Sequence, residues 1–86
     1  MTFQYDSEKS LSNLDKHGID FEEAQFLWED PNMIEVHARS SDEARSLVIA
    51  RYRDRHWSAV GTYRADEIRI ISVRRSRNAE VELYES

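Results

Sequence analysis

Two adjacent arginines, Arg74 and Arg75, end the stretch E-I-R-I-I-S-V-R-R-S of residues 67–76. Its β-branched residues favour a strand, and successive strand side chains point to opposite faces. We therefore expect the two guanidinium groups to project from opposite faces where the strand ends. Guanidinium binds phosphate or carboxylate through two parallel hydrogen bonds. The strand end therefore predicts an anion site, unless the arginines only mark where the strand meets water.

Further cations lie close to other predicted element ends: Lys16 and His17 at the end of a helix, and Arg77 after the strand. If they converge with the arginine pair, they would bind a phosphodiester and stabilise the added negative charge of its transition state. His17 suits proton transfer because imidazole titrates near neutral pH. The simpler interpretation is that His17 only complements the negative end of the helix dipole.

Glu80 and Tyr84 are four residues apart in a predicted C-terminal helix and therefore share one side of it. Their side chains suit assisting or orienting roles in catalysis, and they equally suit contacts that hold the helix in place. Trp57 and Tyr63 offer rings on which nucleobases stack, although aromatic residues of strands commonly belong to the core. The residues alone leave both pairs of alternatives open.

Several classes of site are excluded or disfavoured by composition. The chain has no cysteine, which excludes disulfides, thiol catalysis and thiolate metal sites. Gly18 and Gly61 are the two glycines, so there is no glycine-rich phosphate loop. His17, His37 and His56 fall in separate predicted elements, without the spacing of a metal site. We therefore predict neither a metal nor a cofactor.

The length of 86 residues, with 40% hydrophobic and 34% charged residues, predicts a single globular domain spanning residues 1–86. The net charge of −5 is unevenly distributed along the chain. Residues 1–43 carry three basic and eleven acidic side chains, whereas residues 44–86 carry nine arginines and six acidic side chains. No apolar run approaches a membrane span and no signal-peptide pattern is present. We expect a cytoplasmic location without membrane contact.

The first helix is predicted between Asp6 and Lys16, after a short edge strand at residues 2–5. Asp6 suits the N-cap, and Gly18 suits the left-handed position after the last turn. Leu11 and Leu14, three residues apart, are expected on the buried side. Polar residues are expected to face solvent: Lys9, Ser10, Asn13 and Lys16.

A second helix is predicted to begin at Asp20, because Asp20 and Glu23 have capping-box spacing. One side of this helix is expected to carry its apolar residues: Phe21, Ala24, Leu27 and Trp28. The Asp30-Pro31 pair is expected to end it, since the residue before a proline disfavours helical geometry.

Beyond Met33 the apolar period changes to that of strands. Strands are predicted at residues 33–36, 47–52, 57–63 and from 67, with a polar loop at 38–43 and reversals at 53–56 and 64–66. Ser76 is expected to cap a final helix. Ala79, Leu83 and Tyr84 of this helix are expected to pack inward. The layout β-α-α-β-β-β-β-α predicts an α+β fold, with two N-terminal helices packed on a mainly antiparallel sheet and a short C-terminal helix.

These segments resemble the BrnT family of toxins. The resemblance covers F-Q-Y-D-S-E-K-S-L-S-N-L-D-K-H-G-I-D-F-E-E-A at residues 3–24, Asp30-Pro31, I-R-I-I-S-V-R-R at 68–75 and Tyr84-Glu85. The combination of K-H-G-x-x-F-E-E-A with R-I-I-S-x-R-R is specific, and nearly the whole chain matches in order. The resemblance implies a RelE-like fold and a metal-independent ribonuclease that cleaves RNA and inhibits translation and growth.

The resemblance also implies roles for individual residues and partners. The residues implied as catalytic are His17, Arg74, Arg75, Glu80 and Tyr84, and Lys16 is implied in substrate binding. Arg77 is added to substrate binding from its position after the strand, and not from the resemblance. The implied partners are the RNA substrate and a BrnA-like antitoxin with a ribbon-helix-helix domain. The toxin would be linked to operator DNA only through this antitoxin.

Two alternatives to a ribonuclease stay open. Residues 76–82, S-R-N-A-E-V-E, carry fewer arginines than relatives and lack their threonine, which weakens phosphate attraction. This departure motivates a non-catalytic module that binds the antitoxin and acts as a co-repressor. The third possibility is a small structural domain whose arginines only decorate its surface.

Overall fold

A computed structural model describes residues 2–39 and 44–86. Its elements are β1 (Thr2–Gln4), α1 (Ser7–His17), a 3₁₀ helix (Glu23–Glu29), β2 (Ile34–Arg39), β3 (Ala44–Tyr52), β4 (Arg55–Arg64), β5 (Glu67–Arg75) and α2 (Asn78–Glu85). This order confirms an α+β fold. No helix among the described residues has the length and apolar character of a membrane-spanning segment.

The described strands form one five-stranded sheet in the order β1-β5-β4-β3-β2. Strands β2 to β5 form an antiparallel meander, in keeping with the predicted mainly antiparallel sheet, while β1 pairs in parallel with β5 at the edge, so the sheet is mixed. The β3–β4 hairpin turns at Arg53 and Asp54, whose φ angles are 51° and 62°. Positive φ at both central residues matches the twist of the strands, as in a type I′ turn.

The strand boundaries differ from the predicted ones at two loops. The predicted reversal at residues 53–56 is shorter, because β4 already begins at Arg55. Strand β2 continues to Arg39, so the predicted polar loop at 38–43 begins too early. The rest of that predicted loop, residues 40–43, lies outside the described residues.

The predicted second α-helix is a 3₁₀ helix, and it begins at Glu23 rather than Asp20. The Asp20 carboxylate accepts the Glu23 N–H at 2.8 Å, as its capping position predicts. The Glu23 carboxylate does not complete the box, since it accepts the Tyr52 hydroxyl at 2.9 Å. Side chains three apart eclipse in a 3₁₀ helix, so Ala24 and Leu27 both face the sheet and are fully buried.

The core lies between the sheet and the segment containing the 3₁₀ helix. The buried cluster consists of Ile19, Phe21, Ala24, Leu27, Val48, Ala50, Trp57, Ala59, Ile70 and Val73. In the β3–β4 register Val48 pairs with Ala59 and Ala50 with Trp57. These residues therefore share one sheet face, which we call the core face; the opposite face carries α2.

Helix α1 packs with its polar side inward, so the predicted orientation of this helix is wrong. Leu11 and Leu14 are 67% and 43% exposed, whereas Ser10 and Asn13 are only 7% exposed. The Asn13 amide donates to the Ile19 carbonyl at 2.7 Å and accepts the Val73 N–H at 3.2 Å. Buried backbone groups need hydrogen-bond partners, and this requirement outweighs burial of the two leucines.

The position of β1 explains why that requirement arises. Strand β1 pairs with β5 only up to Arg69, which leaves the following edge of β5 without a neighbouring strand. Helix α1 covers this edge, and Asn13 supplies the acceptor for Val73. Ser10 in turn accepts the Phe21 N–H at 2.8 Å. The two polar side chains thus join α1 to the sheet edge and to the chain that follows the helix.

Strand β5 contains a bulge that interrupts the alternation of side chains expected for a regular strand. Val60 pairs with Ser72 and Gly61 with Ile70, so Ile71 is an extra residue. The insertion shifts the alternation, and Val73 joins Ile70 in the core instead of facing away from it. A Cβ at Gly61 would lie 3.0 Å from the Arg69 carbonyl oxygen, which explains the glycine at this position.

Helix α2 also differs from its predicted packing. Ala79 and Leu83 are exposed, whereas Glu80 and Tyr84 are partly buried. Polar contacts of these two side chains hold the helix to the protein, and Val81 is partly buried beside them. Ser76 does not cap the helix; its hydroxyl lies 2.7 Å from that of Ser58, and Arg77 occupies the N-cap position.

Candidate functional site

The end of β5 places Arg74 and Arg75 on opposite faces of the sheet, as the alternation predicts. Arg75 pairs with Trp57 and Arg74 with Ser58 in the β4–β5 register. The Arg75 guanidinium lies 5.7 Å from the centroid of the Trp57 ring. Because Trp57 is part of the buried cluster, Arg75 belongs to the core face and Arg74 to the face of α2.

Arg74 is engaged by Glu80 of α2. Its two terminal nitrogens each donate to one carboxylate oxygen at 2.8 Å. The same carboxylate accepts the Ser58 hydroxyl at 2.9 Å and the Arg77 N–H at 2.8 Å. The hydrogen bonds from Arg74 outweigh partial burial and lower the pKa of Glu80 to about 2. This ion pair ties the end of β5 to the first turn of α2.

Tyr84 contacts the rest of the protein from the C-terminal end of α2. Its hydroxyl donates to Asp30 Oδ2 at 2.7 Å, and its ring meets His56 edge to face at 5.2 Å. Partial burial and the Asp30 carboxylate both raise the pKa of the phenol. His56 Nε2 lies 2.7 Å from the Glu85 carboxylate. The contacts of Tyr84 are therefore those of a helix-docking residue.

The C-terminal turn of α1 presents Lys16 and His17 on the surface. Gly18 has a φ of 81° and donates its N–H to the Leu14 carbonyl at 2.9 Å, which confirms the predicted glycine cap. Both basic side chains lie in the last turn, at the negative end of the helix dipole. Within the described residues the His17 imidazole makes no hydrogen bond or ion pair, so it is available to a ligand.

His17 borders a cavity of about 230 Å³ at the end of the sheet. Arg53 and Arg55, which flank the β3–β4 turn, line the same cavity together with Trp57. Arg53 is occupied, since it lies 3.3 Å from Glu23 Oε2 and 5.3 Å from the centre of the Tyr52 ring. Arg55 is exposed and has no side-chain partner among the described residues. Arg55 is thus a free cation beside His17.

Trp57 links this cavity to Arg75. The indole is 6% exposed, so it belongs to the core and does not offer a face to a nucleobase. It instead lies beneath the Arg75 guanidinium. The candidate site, defined here as His17, Arg55 and Arg75 around Trp57, combines one imidazole with two guanidinium groups. Such a set can bind a phosphate and move a proton next to it.

Not all predicted site residues reach the candidate site. His17 lines the cavity that Trp57 also lines, and Arg75 lies over the same indole. Lys16 lines a neighbouring cavity together with His17. Four others belong to α2 or to the residues that hold it on the opposite face: Arg74, Arg77, Glu80 and Tyr84. Their part in a reaction stays a prediction.

The sequence did not single out Arg55, because it lay in a segment predicted to be a turn. A signal for it exists, since Arg55 precedes Trp57 by two residues and side chains two apart on a strand share a face. Once the hairpin turn is restricted to Arg53 and Asp54, the alternation places Arg55 next to Trp57. The length of the turn was therefore the missing information.

Among the side chains that the structure describes, no group of three or more His, Asp and Glu residues is arranged to hold a metal ion. The functional groups of the candidate site are an imidazole and guanidinium groups, and guanidinium is not a metal ligand at neutral pH.

Comparison with known families gives one match that covers most of the chain. The family model described as "Ribonuclease toxin, BrnT, of type II toxin-antitoxin system" matches residues 5–80. The matched range includes His17, Arg55, Arg75 and both partners of the Arg74–Glu80 ion pair. No curated protein matches the chain.

Proposed function

Because the chain belongs to the BrnT family of ribonuclease toxins from type II toxin–antitoxin systems, we propose that it cleaves RNA at the candidate site without a metal ion. The observation that carries this proposal is the cavity shared by His17 and Arg55, with Arg75 stacked on the Trp57 that lines it. An imidazole and guanidinium groups that have no carboxylate partner among the described residues form the minimal set for cleaving a phosphodiester by its own 2′-hydroxyl.

The proposed reaction is an internal transphosphorylation. The 2′-oxygen forms a bond to the adjacent phosphorus, and the bond from phosphorus to the 5′-oxygen breaks. Neutral His17 removes the 2′-hydroxyl proton and then returns a proton to the departing 5′-oxygen. The products are a 2′,3′-cyclic phosphate and a 5′-hydroxyl end. No water or other reactant is consumed in this step, and the net proton movement is from one oxygen to the other.

Arg75 and Arg55 are proposed to hold the phosphate. Negative charge grows on the non-bridging oxygens as the fifth bond to phosphorus forms, and positioned cations stabilise that charge. Trp57 acts as a positioning residue, because its ring carries the Arg75 guanidinium. Arg74 and Glu80 also act as positioning residues in this proposal: their ion pair fixes the end of β5 and therefore the direction of Arg75.

The family has cognate antitoxins as partners, and the finer features follow as proposals. We propose a RelE-like arrangement of the α+β fold, which the helices on a mixed sheet support. The protein would cleave RNA in the cytoplasm, and the loss of RNA would inhibit translation and growth. The antitoxin would be BrnA-like, with a ribbon-helix-helix domain that binds operator DNA, and it would neutralise this chain by direct contact.

The decisive experiment incubates the purified chain with RNA in the presence and absence of EDTA. We expect the same cleavage in both, with 2′,3′-cyclic phosphate and 5′-hydroxyl ends. His17→Ala and Arg75→Ala should each lose about 100-fold or more in rate. Loss of cleavage in EDTA that is restored by added metal would refute the metal-free reaction, and intact RNA at all enzyme concentrations would refute the nuclease.

A co-repressor without nuclease activity is the second candidate function. The observation favouring it is that Arg74, Glu80 and Tyr84, three residues implied as catalytic, are all engaged in internal contacts. Expression without the antitoxin separates the two functions. A ribonuclease stops growth and its His17→Ala variant does not, whereas a co-repressor leaves growth unchanged and strengthens antitoxin binding to operator DNA.

A further inference from the structure

A second cavity of about 210 Å³ lies between α1 and β5. Its basic lining residues are Lys9, Lys16 and His17, and its polar ones include Ser12 and Ser72. No acidic side chain lines it among the described residues, although the chain has 17 acidic against 12 Lys and Arg side chains. We call this cavity the α1–β5 groove. Its charge is opposite to that of the chain as a whole.

The two lysines are regularly placed along the groove. Lys9 and Lys16 are seven residues apart, which is two helical turns and about 10.5 Å along α1. Ser12 lies between them on the same side of the helix, and its hydroxyl has no hydrogen-bond partner among the described residues. The acidic residues of α1, Glu8 and Asp15, do not line the groove. The groove therefore presents donors and positive charge to an elongated anion.

The groove and the cavity of the candidate site meet at His17. His17 lines both the α1–β5 groove and the cavity that contains Arg55. A strand whose cleaved phosphate lies beside His17 can therefore continue past Lys16 towards Lys9. At about 3.4 Å per nucleotide for a stacked strand, the distance between the lysines corresponds to about three nucleotides.

We infer that the α1–β5 groove is a subsite for the sugar–phosphate backbone of the RNA strand on one side of the cleaved bond. Lys9 is assigned to a phosphate about three nucleotides from the one contacted by Lys16. The inference rests on the ribonuclease function proposed above. Among the described residues that line the groove, Phe21 is the aromatic one, and it is only 1% exposed, so none of them offers a ring for stacking a base. Contacts with phosphates alone carry no sequence information, so the subsite adds affinity without base preference.

The test uses oligodeoxynucleotides that contain a single ribonucleotide, because only its 2′-hydroxyl permits cleavage. The set extends from the dinucleotide to strands with one to six further nucleotides on the 5′ or the 3′ side, with mixed bases. We expect Lys9→Gln to leave kcat/KM for the dinucleotide unchanged and to lower it about 3- to 10-fold once one side is long enough. The slope of log kcat/KM against log salt should decrease in magnitude by about 0.7 for long strands.

The matched control is Arg69→Gln. This substitution removes the same charge as Lys9→Gln. Arg69 is exposed, but it lies outside both cavities that His17 lines. It should not change the dependence on strand length. An equal loss with Arg69→Gln, or a loss with Lys9→Gln that is the same at every length, would show a general charge effect and overturn the subsite.

Two further outcomes separate the subsite from the function on which it rests. If wild type cleaves the dinucleotide and longer strands equally well, the function stands and the subsite fails. If wild type cleaves none of the set, nor RNA, the function fails and the inference falls with it. Competition by an acidic peptide that Lys9→Gln abolishes, without any effect of Lys9→Gln on long strands, would assign the groove to an acidic protein segment instead.

Discussion

Arg74 and Glu80 form an ion pair with two parallel hydrogen bonds, Nη1 to Oε1 and Nη2 to Oε2, each of 2.8 Å. The pair is partly buried and connects the end of β5 to the first turn of α2. Its neighbour Arg75 has no carboxylate partner among the described residues and stacks on Trp57. Two adjacent arginines of one motif therefore have different surroundings, and different consequences follow from removing each.

The pH dependence of stability should report the Arg74–Glu80 ion pair. The pKa of Glu80 is lowered from 4.5 to about 2, so the carboxylate binds protons more weakly in the folded protein than in the unfolded chain. Its contribution is therefore fully present above about pH 4.5 and is lost as the pH falls through 2. Allowing for solvent screening, we expect about 2 kcal/mol to be lost over this range.

Glu80→Gln should remove that contribution at neutral pH and flatten the acid limb of the stability curve, as measured by urea unfolding at a series of pH values. Glu82→Gln is the matched control, because Glu82 lies on the exposed side of the same helix; its effect should stay within about 0.5 kcal/mol. Equal acid limbs for wild type and Glu80→Gln would contradict the assignment.

Arg74→Ala and Arg75→Ala should differ in their main effect, which is on stability for Arg74 and on catalysis for Arg75. Arg74→Ala leaves the Glu80 carboxylate without its cation and should lower the free energy of unfolding by about 2 kcal/mol. Arg75→Ala loses an exposed cation–π contact worth less than about 1 kcal/mol, yet it should slow RNA cleavage about 100-fold. The measurements are urea unfolding and kcat on a defined RNA under conditions where both variants are folded. The reverse result, with Arg74→Ala inactive but fully stable, would assign the phosphate to Arg74.

Asn13→Ala should be far more harmful than Leu11→Ala, although leucine is the apolar residue. Removing the Asn13 amide leaves the Ile19 carbonyl and the Val73 N–H without partners, which costs about 2–4 kcal/mol. Leu11 is 67% exposed, so its truncation should change stability by less than about 0.5 kcal/mol. Chemical unfolding of the two variants checks this order. A larger loss from Leu11→Ala would mean that α1 buries its leucines in solution.

Tyr84→Phe should weaken the attachment of α2 without changing the chemical step. The variant loses the hydrogen bond to Asp30, which costs about 1–2 kcal/mol because the acceptor is charged. Tyr5→Phe is a suitable control, since the Tyr5 hydroxyl has no partner among the described residues. A fall in kcat with unchanged stability would instead establish the catalytic role that the resemblance implies for Tyr84.

Local features of the fold were predictable because they depend on residues close together in the chain. Asp6 accepts the N–H groups of Glu8 and Lys9 at 2.8 and 3.2 Å, and Gly18 ends α1 with a positive φ. The order of the elements and the antiparallel meander follow from periods and turns in the same way. The orientation of α1 did not follow, because the partners of Asn13 are six and sixty residues away.

The candidate site was predictable only in part, for a related reason. His17 and Arg75 carry chemistry that is visible in the sequence, and alternation alone places Arg74 and Arg75 on opposite faces. Arg55 and Lys9 were not singled out. Their relevance depends on which residues line the same cavity as His17, and that depends on the hairpin turn and on the side of α1 that faces β5.

The sequence by itself determined the family, the α+β class, the caps of α1 and the presence of a cationic strand end. Each depends on residue identity and on spacings of a few residues, which act through local backbone geometry. The tertiary structure decided which cation is available to a phosphate. Glu80 neutralises Arg74 only because α2 packs on that face, and Arg75 stays accessible because the core face offers it an aromatic ring instead of a carboxylate. Such pairing depends on long-range packing, which local spacing does not encode.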